Sequence, residues 1–146
     1  MSQEWKFEHS VECPVSPEFA WNFWTNVDNW KIDADVESVE LSGPFRPGTH
    51  GTTHSKSSGR IEWRIAEVTP SKQAVLEFPA PGAAAYFLWT FEPSPTGTRI
   101  TQLASLSGER ASYYAETFGP SLEAGLPAGM RKLCQAMEQA AREPKG

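Results

Sequence analysis

The feature that most constrains this chain is a change of hydrophobic period. Up to about residue 108, apart from a short helical stretch after the first strand, large apolar side chains recur at every second position, as in Ile61, Trp63 and Ile65, and again in Phe87, Trp89 and Phe91. From Leu122 they recur at every third or fourth position, through Leu126, Met130, Leu133 and Met137. A period of two places alternate residues on one face of a strand, whereas the second spacing draws one stripe along a helix. A long helix that follows an antiparallel sheet has to bury its stripe on one face of that sheet. If the sheet curls around the helix, the space between them exceeds what side chains fill, and a pocket results.

The rest of the chain fits this plan. "WKFEHSVEC" alternates Trp5, Phe7, His9, Val11 and Cys13 on one face and reads as a first strand. In "PVSPEFAWNFW", Ser16 is a candidate N-cap, Pro17 suits the first helical position and Glu18 complements the positive helix end. Phe19, Ala20, Phe23, Trp24 and Val27 give that short helix an apolar stripe. "DNWKIDAD" predicts a second short helix or turn. Strands are expected at "VESVELSG", "THGTTHSK", "GRIEWRIAEV", "AVLEF", "AAAYFLWTFEP" and "RITQLASLSG", separated by "GPFRPG", "TPSKQ", "PAPG" and "SPTGT". About seven strands on short connections favour an antiparallel meander. Ala111 to Phe118 reads as a separate turn of helix, Gly119 and Pro120 as the start or a break of the long helix, and Pro127 as a kink within it. Residues 1–146 form one α+β domain, without repeats or linkers.

Composition narrows the function. The formal net charge is −5, and no basic run exceeds Arg131-Lys132, which disfavours nucleic acid and anionic membrane surfaces as partners. No apolar run approaches the ~20 residues of a membrane span, and "MSQEWKFEHS" lacks the apolar segment of a secretory signal. A cytoplasmic location follows by default. Cys13 and Cys134 have no metal or redox spacing and read as two buried thiols. Aromatic residues make up 12% of the chain, including six Trp, and three of these fall within "WNFWTNVDNW".

Four segments together resemble the START-like, helix-grip superfamily of polyketide cyclase/dehydrase and lipid-transport proteins. They are "VECPVSPEFAWNFWTNVDNW", "VESVELSGPFRPGTHGTT", "RIAEVTPSKQAVLEF" and "GTRITQLASLSG". The likeness runs from about Phe7 to Ala140. Its grammar is a first strand ending in Pro, a Ser-Pro helix, an Asn-Trp turn, a Gly-Thr lead-in to the third strand and a Gly-Thr-Arg hairpin. Relatives often carry a second Trp after the Asn-Trp turn, and "NWKIDAD" has none, so the pocket shape near Trp30 is not carried over. The resemblance implies a curved sheet of six or seven strands wrapped around the C-terminal helix, with two short helices closing one end. Carried over by position, Trp24 and Trp30 fall near the closed end. Trp63, Phe78, Phe87 and Trp89 project from strands, and Leu126 and Met130 face them from the helix.

Little in the sequence announces catalysis. His50 and His54 on one strand face lie about 13 Å apart, too far to share a metal, and no HxH, HExxH or GxSxG spacing occurs. No metal and no cofactor are expected. The carboxylates of "DNWKIDADVESVE" lack calcium-loop spacing and read as acidic surface. Polar candidates for a dry pocket are His54, Glu62, Arg64, Glu67, Tyr86, Gln102 and Tyr113; of these, Glu62 and Arg64 alternate with inward residues and should be solvated. His54 faces in or out according to strand register. Gln102 shares a face with Ile100, Ala104 and Leu106, where an amide needs a partner. Tyr113 could gate the pocket mouth. Three functions stay open: binding of a hydrophobic or aromatic small molecule; a cyclase- or dehydratase-like enzyme using His54, Gln102 or Tyr113; and a stress or protein-interaction module with a closed cavity, pairing as a homodimer through a sheet edge.

Overall fold

The computed structural model describes residues 5–33 and 35–142. Its elements are β1 (Trp5–Cys13), α1 (Pro17–Thr25), a 3-10 helix (Val27–Ile32), β2 (Val36–Leu41), β3 (His50–Ser55), β4 (Gly59–Thr69), β5 (Gln73–Ala80), β6 (Ala83–Ser94), β7 (Gly97–Ser107) and α2 (Ala111–Arg142). The strands form one sheet in the order β1-β7-β6-β5-β4-β3-β2, antiparallel throughout. The expected meander therefore runs from β2 to β7, and β1 adds to its far edge beside β7. The α1 and 3-10 segment crosses from one edge strand to the other and closes an end of the sheet. Register shifts at Ile65/Glu67 and Val36/Ser38 add local bend and twist. The result is the curved sheet with a long C-terminal helix that the sequence implied.

Local signals set the elements. The Ser16 hydroxyl accepts from the Phe19 N–H at 3.1 Å and caps α1, with Pro17 in the first turn. The helix buries Ala20, Trp21 and Trp24, while Phe19 and Phe23 are only half-buried and stack on each other. Trp21 takes Phe45 and Phe91 edge-on and plugs the end of the sheet. Along β7, alternation buries Thr98, Ile100, Gln102, Ala104 and Leu106 on the concave face.

Two expectations fail. The C-terminal region is one continuous helix from Ala111, with Pro120 and Pro127 inside it, rather than a short helix and a break. Each proline withdraws one bond, to the carbonyl of Glu116 or Glu123, and both of those residues are exposed, where solvent can replace it. Packing on β1 then outweighs the local break: Trp5 lies against Gly119, where an added Cβ would come within 3.2 Å of the indole Nε1. The second failure concerns the cysteines, which are not separate thiols. Cys13, at the end of β1, and Cys134, on α2, form a disulfide across 121 residues of sequence. Sequence distance hid the pairing because α2 returns across the first strand. Bonds of this kind persist in oxidising surroundings. Among the described residues no helix is long and apolar enough to cross a membrane.

Candidate functional site

The site is built outward from the short helices. Asn26 caps the 3-10 helix by accepting from the Asp28 N–H, and the Asn29 side-chain amide donates to the Phe23 carbonyl at 2.9 Å. The Trp30 Nε1–H donates to the Trp24 carbonyl at 2.7 Å, which fixes the indole against the end of α1. Trp30 then stacks on Trp63 with centroids 5.2 Å apart, and Trp63 on Phe78 at 5.8 Å. Phe78 meets Phe87 edge-on at 5.2 Å, and Trp24 meets Trp89 at 5.1 Å. One continuous aromatic band therefore links the end cap to the sheet. Offset and edge-on ring pairs of this kind add stabilisation beyond the area they bury.

Between this band and α2 lies a cavity of about 720 Å³. Trp24, Trp30, Leu76, Phe78, Phe87 and Trp89 wall it on one side, and Leu122, Leu126, Met130 and Leu133 on the other. Gln102 brings a side-chain amide to the buried part of the wall, beside the indoles of Trp24 and Trp89. The amide is 3% exposed, and its Oε1 has no hydrogen-bond partner among the described residues. The strand register places His9 on one side of it and Trp89 on the other, all three on the concave face.

The remaining polar lining residues sit at the opening. Asp33, Asp35 and Ser57 form one lip; Ser121, Gly125, Gly129 and Lys132 of α2 form the other, and all but the half-buried Asp35 are exposed. An added Cβ at Gly125 or Gly129 would meet nothing within 4 Å, so the helix leaves the slot clear. Asp35 accepts from the Ser55 hydroxyl, from the Ser57 hydroxyl at 2.9 Å and from the Ser57 N–H at 3.0 Å. These bonds, led by that from Ser55, hold its carboxyl below the ordinary aspartate range and tie the start of β2 to the β3–β4 turn.

Eight residues singled out from the sequence line this cavity: Trp24, Trp30, Phe78, Phe87, Trp89, Gln102, Leu126 and Met130. Three do not. His54 pairs with Ser38 and Arg60 and shares the convex face, because the buried residues of β3 are Gly51, Thr53 and Ser55. Tyr113 is 52% exposed near the start of α2, beneath the Arg110 guanidinium. Trp63 is buried behind the wall, 2% exposed, with its Nε1–H donating to the Thr53 hydroxyl at 3.0 Å. It supports Trp30 and Phe78 without lining the space they enclose. Gly51 makes room for its indole. Tyr86 likewise lies off the cavity, donating to Glu77, which raises the phenol pKa; Glu77 also pairs with Arg64. Sequence reasoning missed the lips. The glycines of α2 were the available signal, since exposed helical glycine costs about 0.8–1.0 kcal/mol against alanine without a local reason. Among the described residues no group of three or more His, Cys, Asp or Glu is arranged to hold a metal.

Comparison with known proteins agrees with this geometry. Residues 4–142 match the family described as polyketide cyclase / dehydrase and lipid transport. The Zhui aromatase/cyclase from a Streptomyces species superposes with a TM-score of 0.80 at 14% identity, covering 99% of each chain. A protein of unknown function from Staphylococcus aureus gives 0.77 at 14%, covering 97% of this chain and 98% of its own. Norcoclaurine synthase from Thalictrum flavum, solved with dopamine and hydroxybenzaldehyde, gives 0.74 at 12%, covering 98% and 90%. At such identities the likeness is one of fold. No curated protein matches the chain.

Proposed function

The chain belongs to the polyketide cyclase / dehydrase and lipid transport family, and we propose that it binds a hydrophobic, aromatic small molecule in the cavity between sheet and C-terminal helix. The observation that carries this reading is an open cavity of about 720 Å³, aromatic-walled, with one buried unpartnered amide in it. Ligand sites have this make-up: apolar walls supply affinity and a few polar groups supply orientation. A filled core, as an interaction module would need, is not the geometry described. The cyclase- or dehydratase-like reading has fewer supports. Of the groups named for it, His54 and Tyr113 lie off the cavity, and the Gln102 amide can bind and orient but cannot serve as a general acid or base.

The test is native mass spectrometry of gently purified protein, followed by analysis of any released compound, with 2-naphthol added as a probe and tryptophan fluorescence as readout. The expected result is an apolar or aromatic passenger, or saturable quenching by 2-naphthol that Leu126→Trp abolishes by filling the space. No passenger, together with equal quenching in both proteins, refutes the reading. Conversion of the released compound by the protein would replace it with the enzyme reading.

A further inference from the structure

Resting on that reading, we propose that the buried part of the cavity is a patch of neutral hydrogen-bond donors, the N–H groups of Trp24, Trp89 and Gln102, which receives an uncharged acceptor such as a carbonyl oxygen on the leading edge of a planar ligand.

The indoles of the aromatic band use their N–H groups in two ways. Trp30 donates to the Trp24 carbonyl at 2.7 Å and Trp63 to the Thr53 hydroxyl at 3.0 Å, so both are spent inside the protein. Trp24 and Trp89 line the cavity, and their N–H groups have no acceptor among the described residues. An indole nitrogen can only donate. Gln102 extends this pair. The strand register sets it beside Trp89, and the ring centroid of Trp24 lies 5.1 Å from that of Trp89. The Oε1 of Gln102 is sealed in the wall, whereas its Nε2 is open to the cavity. Turning the amide over would seal two N–H groups in place of one oxygen, and orphaned N–H groups are rarer in protein interiors than under-satisfied carbonyls. This part of the wall therefore offers donors and no open side-chain acceptor.

That asymmetry restricts what can fill the space. A molecule that displaces water from these N–H groups has to accept in its stead, or the bonds are forfeited. A plain hydrocarbon would satisfy the rings and leave the donors unmet. Charge restricts the chemistry further. Lys132 is the one cation lining the cavity, and it sits at the mouth with Asp33 and Asp35. A carboxylate or phosphate at the buried patch would lose its hydration with no cation to compensate. A planar molecule that leads with a neutral oxygen meets both the rings and the donors. Its trailing part, with any charged group, then runs out between the Asp33–Asp35–Ser57 lip and the open stripe of Gly125 and Gly129.

Three planar tricyclic probes that differ only at one ring position test this: 9-fluorenone, whose carbonyl accepts; carbazole, whose N–H donates; and fluorene, which does neither. Each is measured by equilibrium dialysis against wild type, Gln102→Leu, Gln102→Met and Trp89→Phe, so that differences in hydrophobicity cancel in the affinity ratios. The expected result is that every substitution lowers the affinity for 9-fluorenone relative to fluorene by about threefold to tenfold and leaves carbazole tracking fluorene. An unchanged ratio of 9-fluorenone to fluorene at either position, with the probes bound, overturns the donor patch while leaving the cavity reading intact. A loss of carbazole relative to fluorene shows a wall that accepts, and overturns it too. Binding of none of the probes overturns the cavity reading and the inference with it.

Discussion

Gly51→Ala tests the claim that Trp63 is a buttress for the binding wall. An added Cβ would lie 2.3 Å from Trp63 Cζ2, 2.4 Å from Cε2 and 2.6 Å from Cη2, where contact begins to be ordinary only at 3.4 Å. The indole would have to retreat by roughly 1 Å in a packed core, and overpacking of that kind costs about 1–3 kcal/mol. It cannot retreat freely. Trp30 and Phe78 stack on its two sides, and its Nε1–H is held by Thr53. Loss of that hydrogen bond adds about 0.5–1.5 kcal/mol. The substitution should therefore destabilise the protein by about 2–4 kcal/mol and lower Tm by roughly 5–15 °C. Thermal unfolding followed by near-ultraviolet circular dichroism reads this, because the tryptophan bands report the displaced stack. The same substitution in a Trp63→Phe background should cost under about 1 kcal/mol, since phenylalanine lacks the outer indole ring, and the difference is the coupling between the two sites. Equal Tm shifts in the two backgrounds, or a shift below about 2 °C in wild type, would refute the reasoning.

Other consequences follow from the same structure. Gln102→Leu should raise the stability of the ligand-free protein by about 1 kcal/mol or more in urea denaturation, because it removes an unmet buried acceptor. Gly129→Ala should stabilise by about 0.8–1.0 kcal/mol, since its Cβ enters open space on a helix. Loss of the Cys13–Cys134 bond, in a double alanine variant, should cost about 2–4 kcal/mol, and dithiothreitol should bring wild type towards the same value. The folded-state pKa of Asp35 is lowered, so the stability it contributes is present above the unfolded value and is lost as pH falls through the folded one. An acid titration should show the β2 and β3–β4 lip loosening below about pH 4, and Asp35→Asn should remove that pH dependence.

The architecture was legible because it rests on periodicities. The two-residue alternation of β4, β6 and β7, the Ser16 cap and the helical stripe from Leu122 each have one physical reading, and neighbouring elements do not alter it. What depended on register or on distant packing was less legible. His54 faced out because the bend before β3 put Gly51, Thr53 and Ser55 inward. Trp63 alternates correctly with Ile61 and Ile65, yet Trp30 and Phe78 close over it. Pro120 looks like a break locally, but the continuous helix along β1 carries it. The cavity itself was foreseeable from the fold, whereas its mouth was not. The mouth is made where Asp33 and Asp35 approach residues about ninety positions later on α2, and no local pattern encodes that approach.

The most direct test of the central claim is two-dimensional nuclear magnetic resonance of the isotopically labelled protein titrated with 2-naphthol. The indole N–H groups of Trp24, Trp30 and Trp89 and the side-chain amide of Gln102 give separate probes of the cavity wall. Saturable shifts centred on these four groups are expected, as is their loss in Leu126→Trp. Shifts centred instead on the exposed Tyr113 and Phe118, or no saturable shift at the four groups, would contradict that claim.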